Sequence, residues 1–135
     1  MGAELVTVSC DTKFVHLAWR TVEKELANVA FKMGADPTGR LARAFGVYLE
    51  DDGVALRGSF LISPEGTLLF SEVNFLNVGR NVDELMRKFK AGIYVGKKDE
   101  GLPSSWNEEG DVTLKPSAKM VGKVHEALKR GGEAS

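Results

Sequence analysis

Gly53 to Asn74, written GVALRGSFLISPEGTLLFSEVN, holds two apolar runs on either side of a turn signal. The first, Ser59-Phe60-Leu61-Ile62, is short and apolar, the pattern of a buried strand. The second, Thr67 to Val73, starts apolar and turns more polar, as a strand nearer an edge does. Between them, Ser63-Pro64-Glu65-Gly66 puts proline where a turn wants φ preset and glycine where a positive φ is cheap. The stretch predicts a β-hairpin. Just ahead of its first strand stands Arg57. A guanidinium beside a buried strand needs a partner, because an unpaired buried charge is costly. Whether that partner is structural or catalytic decides how the protein is read.

Composition narrows the classes. The chain has 135 residues, 43% hydrophobic and 27% charged, with a formal net charge of −1. That mixture predicts one globular domain with no general attraction to nucleic acid or anionic membrane. No apolar run approaches a membrane span, and Met1-Gly2-Ala3-Glu4 is not a signal peptide. A single cysteine, Cys10, excludes an intramolecular disulfide and points to a reducing cytoplasm. Cys10, His16 and His125 are too scattered for a metal site. There is no P-loop, dinucleotide fingerprint or internal repeat, and no cofactor is expected.

In chain order, Glu4 to Val8 reads as a strand, and Asp11 or Thr12 caps a helix with Phe14, Leu17, Ala18, Val22 and Leu26 on one face. Val29-Ala30-Phe31 reads as a second strand. Asp36-Pro37 reads as a cap with proline at the first helical position, and Leu41 and Phe45 form that helix's apolar side. Asn81 to Tyr94 is the clearest helix. Asn81 and Glu84 have capping-box spacing, and Val82, Leu85, Met86, Phe89 and Ile93 form a stripe. Lys97 to Lys115 reads as an exposed arm anchored by Trp106. Ser117 starts a last helix with Met120, Val121, Val124 and Leu128 on one face, stopped by Gly131-Gly132. The layout is α/β with a mixed sheet.

Five stretches carry a family resemblance: Val8-Ser9-Cys10-Asp11-Thr12 with His16-Leu17-Ala18-Trp19; Asp36-Pro37; Asp52-Gly53 through Arg57-Gly58-Ser59-Phe60; Val78 to Glu84; and Trp106 with Thr113-Leu114-Lys115-Pro116. In order and spacing they resemble the typical 2-Cys peroxiredoxins, the family of the alkyl hydroperoxide reductase C subunit. The resemblance implies a partial thioredoxin-like fold that lacks the N-terminal βαβ half, where the family carries its peroxidatic cysteine. It divides the chain into a truncated core, residues 1–96, and a C-terminal arm and helix, residues 97–135. Met1 to Leu5 resembles the middle of the family sequence, as in a shortened or split gene or a frame opened at an internal methionine. The family's resolving cysteine falls near Leu102.

Peroxide reduction needs a thiolate, and cations that lower its pKa and hold the peroxide. By resemblance Arg57 is the arginine that does this directly, and Arg80 supports it through a carboxylate network. The other reading of Arg57 is a structural ion pair. Cys10 is the only thiol, placed at a strand's end before a helix N-terminus that would lower its pKa; the plainer reading is a small buried hydrophobe. His16 reads as a packing or capping residue, Trp19 and Trp106 as core and anchor, and Arg87-Lys88-Phe89-Lys90 as a solvated face.

The family's central strand lies between the strand at Leu5 and the one at Phe60. Its absence predicts one of three outcomes: the two edges pair directly, segments swap in a homodimer or higher homo-oligomer, or a complementing chain binds. By resemblance the second hairpin strand, Thr67 to Val73, forms an edge-to-edge dimer. The function implied is thiol-dependent reduction of a peroxide, with a thiol reductant, dependent on Cys10 or a partner chain. The alternative is a non-catalytic interaction or oligomerisation module.

Overall fold

A computed structural model describes residues 2–131. The strands are β1 (Val6–Ser9), β2 (Lys32–Ala35), β3 (Tyr48–Leu49), β4 (Val54–Ala55), β5 (Arg57–Ile62) and β6 (Leu68–Asn74). The helices are α1 (Lys13–Val22), α2 (Arg40–Ala44), α3 (Val82–Val95) and α4 (Val124–Lys129). Strands and helices alternate through the first half, as an α/β chain does. The mixed sheet is present as three two-stranded pieces: β1 parallel to β2, β3 antiparallel to β4, and β5 beside β6.

The chain forms two compact units. Of the described residues, one holds 2–59 and 71–79, and the other holds 60–70 and 80–131. The first buries Ala42, Val47, His16 and Asp36; the second buries Trp106, Met120 and Ala127.

Local chemistry sets the elements that match expectation. Ser63 N–H donates to Thr67 O at 2.8 Å and Gly66 N–H to Ser63 O at 3.0 Å, with Gly66 at φ +88°, so the Pro-Glu-Gly turn closes the hairpin. Thr12 Oγ1 accepts from Val15 N–H at the start of α1, and Asn81 Oδ1 accepts from Glu84 N–H at 3.0 Å at the start of α3. The Glu84 carboxylate does not complete a capping box. It lies on Arg87 at 2.6 and 2.9 Å instead.

Other expectations need correction. The second strand is Lys32–Ala35, not Val29 to Phe31. A 3-10 turn at Lys24–Leu26 delays the chain, and Gly34 fits where a Cβ would sit 3.2 Å from Val8 Cγ2. The second helix starts at Arg40 behind left-handed Gly39, not at Pro37. The last helix is broken: Gly122 at φ +75° separates a 3-10 turn, Ala118–Met120, from α4, and Val121 is 82% exposed. Gly131 follows α4 at φ +81°, while Gly132 lies outside the described residues. The apolar face of α1 is not buried. Phe14, Leu17 and Val22 are exposed, as is Trp19, and His16 is the helix's buried residue. The stripe of α3 is at most half-buried. Of the three ways to close the sheet, direct pairing of β1 with β5 is not the one found; each sits in its own two-stranded sheet.

The arm has Trp106 as its anchor, 1% exposed, and a second closure. Gly101 and Leu114 exchange backbone hydrogen bonds of 2.7 and 2.8 Å. Arg87, expected on a solvated face, reaches the Trp106 carbonyl at 2.9 Å.

Candidate functional site

The parallel pairing of β1 and β2 brings their C-terminal ends together, the end of an α/β sheet where sites form. Cys10 follows β1 and Asp36 follows β2, and the Asp36 N–H donates to Ser9 O at 2.9 Å. The Asp36 carboxylate caps α2 from outside the helix, accepting from the Ala42 N–H at 2.9 Å. That bond is the main reason its pKa lies below the usual carboxylate value. A shallow, open hollow of about 440 Å³ lies against this turn, lined by Asp36, Pro37, Thr38, Arg40 and Leu41 among others.

On the β1 side, Ser9 Oγ donates to Asp11 Oδ2 at 2.7 Å and lies 2.6 Å from His16 Nε2. A carboxylate only accepts, so the serine proton is committed to Asp11. His16 must then donate from Nε2, which fixes its tautomer. Its Nδ1 is buried with no partner among the described residues. This arrangement does not activate Ser9, because the serine proton points at the carboxylate and not at the imidazole.

Burial pushes the Cys10 thiol up, and the Asp36 and Asp11 carboxylates push it further. Arg43 works in the opposite direction and is outweighed. The depression expected from the α1 N-terminus is therefore not the net effect. Arg43 is already heavily used: it grips Glu50 at 2.6 and 2.8 Å, donates to Thr38 O at 2.6 Å and lies 4.1 Å over the Tyr48 ring.

Arg57 opens β5 and is exposed, not buried beside the strand. Its Nε donates to Leu76 O at 2.7 Å, and neither Nη makes a hydrogen bond or ion pair among the described residues. The structural ion pair is thus replaced by a backbone anchor that holds the guanidinium by one edge. Arg80 is exposed just ahead of the Asn81 cap. Cys10 and Arg57 belong to one compact unit and Arg80 to the other. Arg57 is not among the charges that move the Cys10 thiol. Sequence reasoning missed Arg43, whose effect on Cys10 arises only once β1 and β2 pair. The seven-residue spacing to Glu50 gave no pattern that would have flagged it. Among the described residues no group of three or more His, Cys, Asp or Glu is arranged to hold a metal ion.

Residues 1–71 match the family model described as the AhpC/TSA family. The chain is 39% identical over 125 residues to alkyl hydroperoxide reductase C of Salmonella typhimurium, covering 92% of this chain and 66% of that protein. It is 40% identical to the same protein from Pseudomonas aeruginosa, covering 91% of this chain and 66% of the relative. It is 38% identical to that from Ferdinandcohnia aciditolerans, covering 92% and 74%. The chain thus spans about two thirds of the length of most of these relatives. Among solved structures, Enterococcus faecalis AhpC matches with TM-score 0.71 and 40% identity, over 74% of this chain and 60% of that one. Reduced Plasmodium vivax 2-Cys peroxiredoxin matches with TM-score 0.79 and 31% identity, over 88% and 64%. These likenesses agree with the partial thioredoxin-like fold implied by the sequence. The chain belongs to the AhpC/TSA family of peroxiredoxins.

Proposed function

We propose that this chain supplies the arginine side of a peroxide-reducing site and does not reduce peroxide by itself. In the proposed reaction a thiolate attacks one peroxide oxygen, the O–O bond breaks, and the products are a sulfenate and an alcohol or water; a thiol reductant then restores the sulfur. Arg57 binds the peroxide with the guanidinium edge that the Leu76 carbonyl leaves open. The thiolate comes from a complementing chain other than a copy of this one, bound alongside any self-association, because each copy carries Cys10 as its one thiol. The state of Cys10 carries this reading: the sequence's one thiol is held protonated by burial and two carboxylates, so it makes a poor nucleophile.

A self-associating or complemented assembly follows. Phe14, Leu17, Trp19 and Val22 on α1, and Leu68, Leu69 and Val73 on β6, leave apolar surface that a monomer would expose to water. We favour a homodimer or larger homo-oligomer in the cytoplasm. No helix among the described residues is long and apolar enough to cross a membrane.

The test is peroxide consumption with a thiol reductant, comparing wild type with Cys10→Ser. Equal, background-level turnover in both is expected for the chain alone. Turnover well above background in wild type that disappears in Cys10→Ser would place the chemistry on Cys10 and overturn the reading.

A further inference from the structure

Arg57 is anchored to a loop, residues 75–79, that leaves the end of β6. Asn74, the last residue of β6, is half-buried, and its Nδ2 donates to Gly79 O at 3.0 Å. A carbonyl oxygen only accepts, so the amide nitrogen of Asn74, not its oxygen, must face Gly79. Inside this closure lies a second. Val78 N–H donates to Phe75 O at 2.9 Å, the bond of a β-turn whose central residues are Leu76 and Asn77.

The Leu76 carbonyl, which accepts from Arg57 Nε at 2.7 Å, belongs to the middle peptide of that turn. The turn's own bond does not fix where this carbonyl points. Type I and type II turns share the bond and differ by roughly a half-turn rotation of the middle peptide. The type II arrangement needs a positive φ at Asn77, and no non-glycine residue among those described has one. Asparagine tolerates that region better than most residues, so the flipped turn is within reach of this sequence. In a flipped or opened loop Leu76 O turns away, and the guanidinium loses the bond that holds it by one edge. Arg57, Asn74 and the whole loop fall within one compact unit, so the arrangement is local.

We propose that Asn74 is a positioning residue for Arg57: by tying the two ends of the loop together it keeps the Leu76 carbonyl turned to Nε and the Nη edge free for a peroxide. The proposal rests on the peroxide-binding reading of Arg57 above and adds the residue that aims it. Asn74 acts through the loop, not by contact with the peroxide. Without its side-chain bond the turn keeps one backbone bond, in a stretch where Phe75, Asn77, Val78 and Gly79 are exposed and water competes for it.

The test follows the Arg57 Nε–H proton by NMR in the full chain, comparing the parent with Asn74→Asp and Asn74→Ala. Asp keeps the shape and sets a carboxylate oxygen against the Gly79 carbonyl; Ala removes the clamp. Exchange of the Arg57 Nε–H with water is expected to quicken about fivefold or more, the factor that one net hydrogen bond carries. The Arg43 Nε–H, bonded to Glu50 in the same unit, is the control and is expected to keep its rate. Hydrogen peroxide titrated into the Cys10→Ser protein, where no thiol consumes it, is expected to shift the Arg57 guanidinium signals. Adding Asn74→Asp is expected to raise severalfold the peroxide concentration this needs. Unchanged Arg57 exchange in both variants, or a rise matched at Arg43 as in general loosening, would overturn the role of Asn74. Faster exchange at Arg57 alone, with no peroxide-induced shift in the Cys10→Ser protein, would overturn the peroxide reading and leave the clamp standing.

Discussion

Asp36 shows how one carboxylate can serve a helix it does not belong to. It precedes α2 by four residues, yet it accepts the Ala42 N–H, one of the first-turn donors that a helix leaves unsatisfied. Its folded pKa is depressed, so its contribution to stability is present above the ordinary value of 3.8 and is lost as pH falls through the lower, folded value. Wild type should therefore lose more stability than Asp36→Asn between neutral pH and the region below 3.8, as read by urea midpoints at each pH. Nearby, Asp11 raises the Cys10 thiol. Asp11→Asn keeps an acceptor for Ser9 and removes the charge, so the pH midpoint of Cys10 alkylation should move down; an upward move would contradict the site's electrostatics. Little of this was legible in the sequence. Asp36 could be recognised as a cap because Asp-Pro is a local signal. Arg43 could not, because its effect on Cys10 comes from two strands meeting more than twenty residues apart in sequence.

At the level of elements, those that local chemistry specifies fell where the sequence put them. α3 has its Asn81 cap and the hairpin its Pro-Glu-Gly turn, and both are settled within a few residues. Asn81→Ala should cost about 1 kcal/mol of unfolding free energy through the lost cap, measurable by denaturant titration. The displaced elements were decided by contacts the sequence does not show. Gly34 yields space to Val8, and Gly39 adopts φ +67° against the Tyr48 ring. At Gly39 a Cβ would come within 2.4 Å of Tyr48 Cε2. Gly39→Ala therefore combines a left-handed backbone with an aromatic clash and should cost about 1–3 kcal/mol, the range for local backbone strain. A cost near zero would mean that α2 can restart elsewhere.

Across the whole molecule, stability and apolar character are in different places. Among the described residues the fully buried large side chain is Trp106, while much of the aliphatic and aromatic surface of α1, β1 and β6 faces water. Trp106→Ala should cost about 3–5 kcal/mol, as truncation of a buried aromatic does. Leu17→Ser on α1, where the side chain is 65% exposed, should change unfolding free energy by less than about 0.5 kcal/mol. Thermal or urea unfolding of the two variants checks both. The amphipathic pattern of α1 was plain in the sequence, and the helix formed. Periodicity says which residues share a face; it does not say whether this chain supplies anything to cover it.

The two tryptophans fall one in each compact unit and in opposite surroundings: Trp19 is 49% exposed, and Trp106 is 1% exposed beside Tyr94, with ring centroids 5.6 Å apart. Emission from an indole in water lies to the red of emission from one sealed among side chains. The two halves of the chain thus carry separate intrinsic dyes. Replacing Trp19 with Phe leaves a blue-emitting reporter of the second unit, and replacing Trp106, where the fold tolerates it, leaves a red-emitting reporter of the first. A spectrum recorded during unfolding would then tell, without any attached label, whether the two units melt together or in turn.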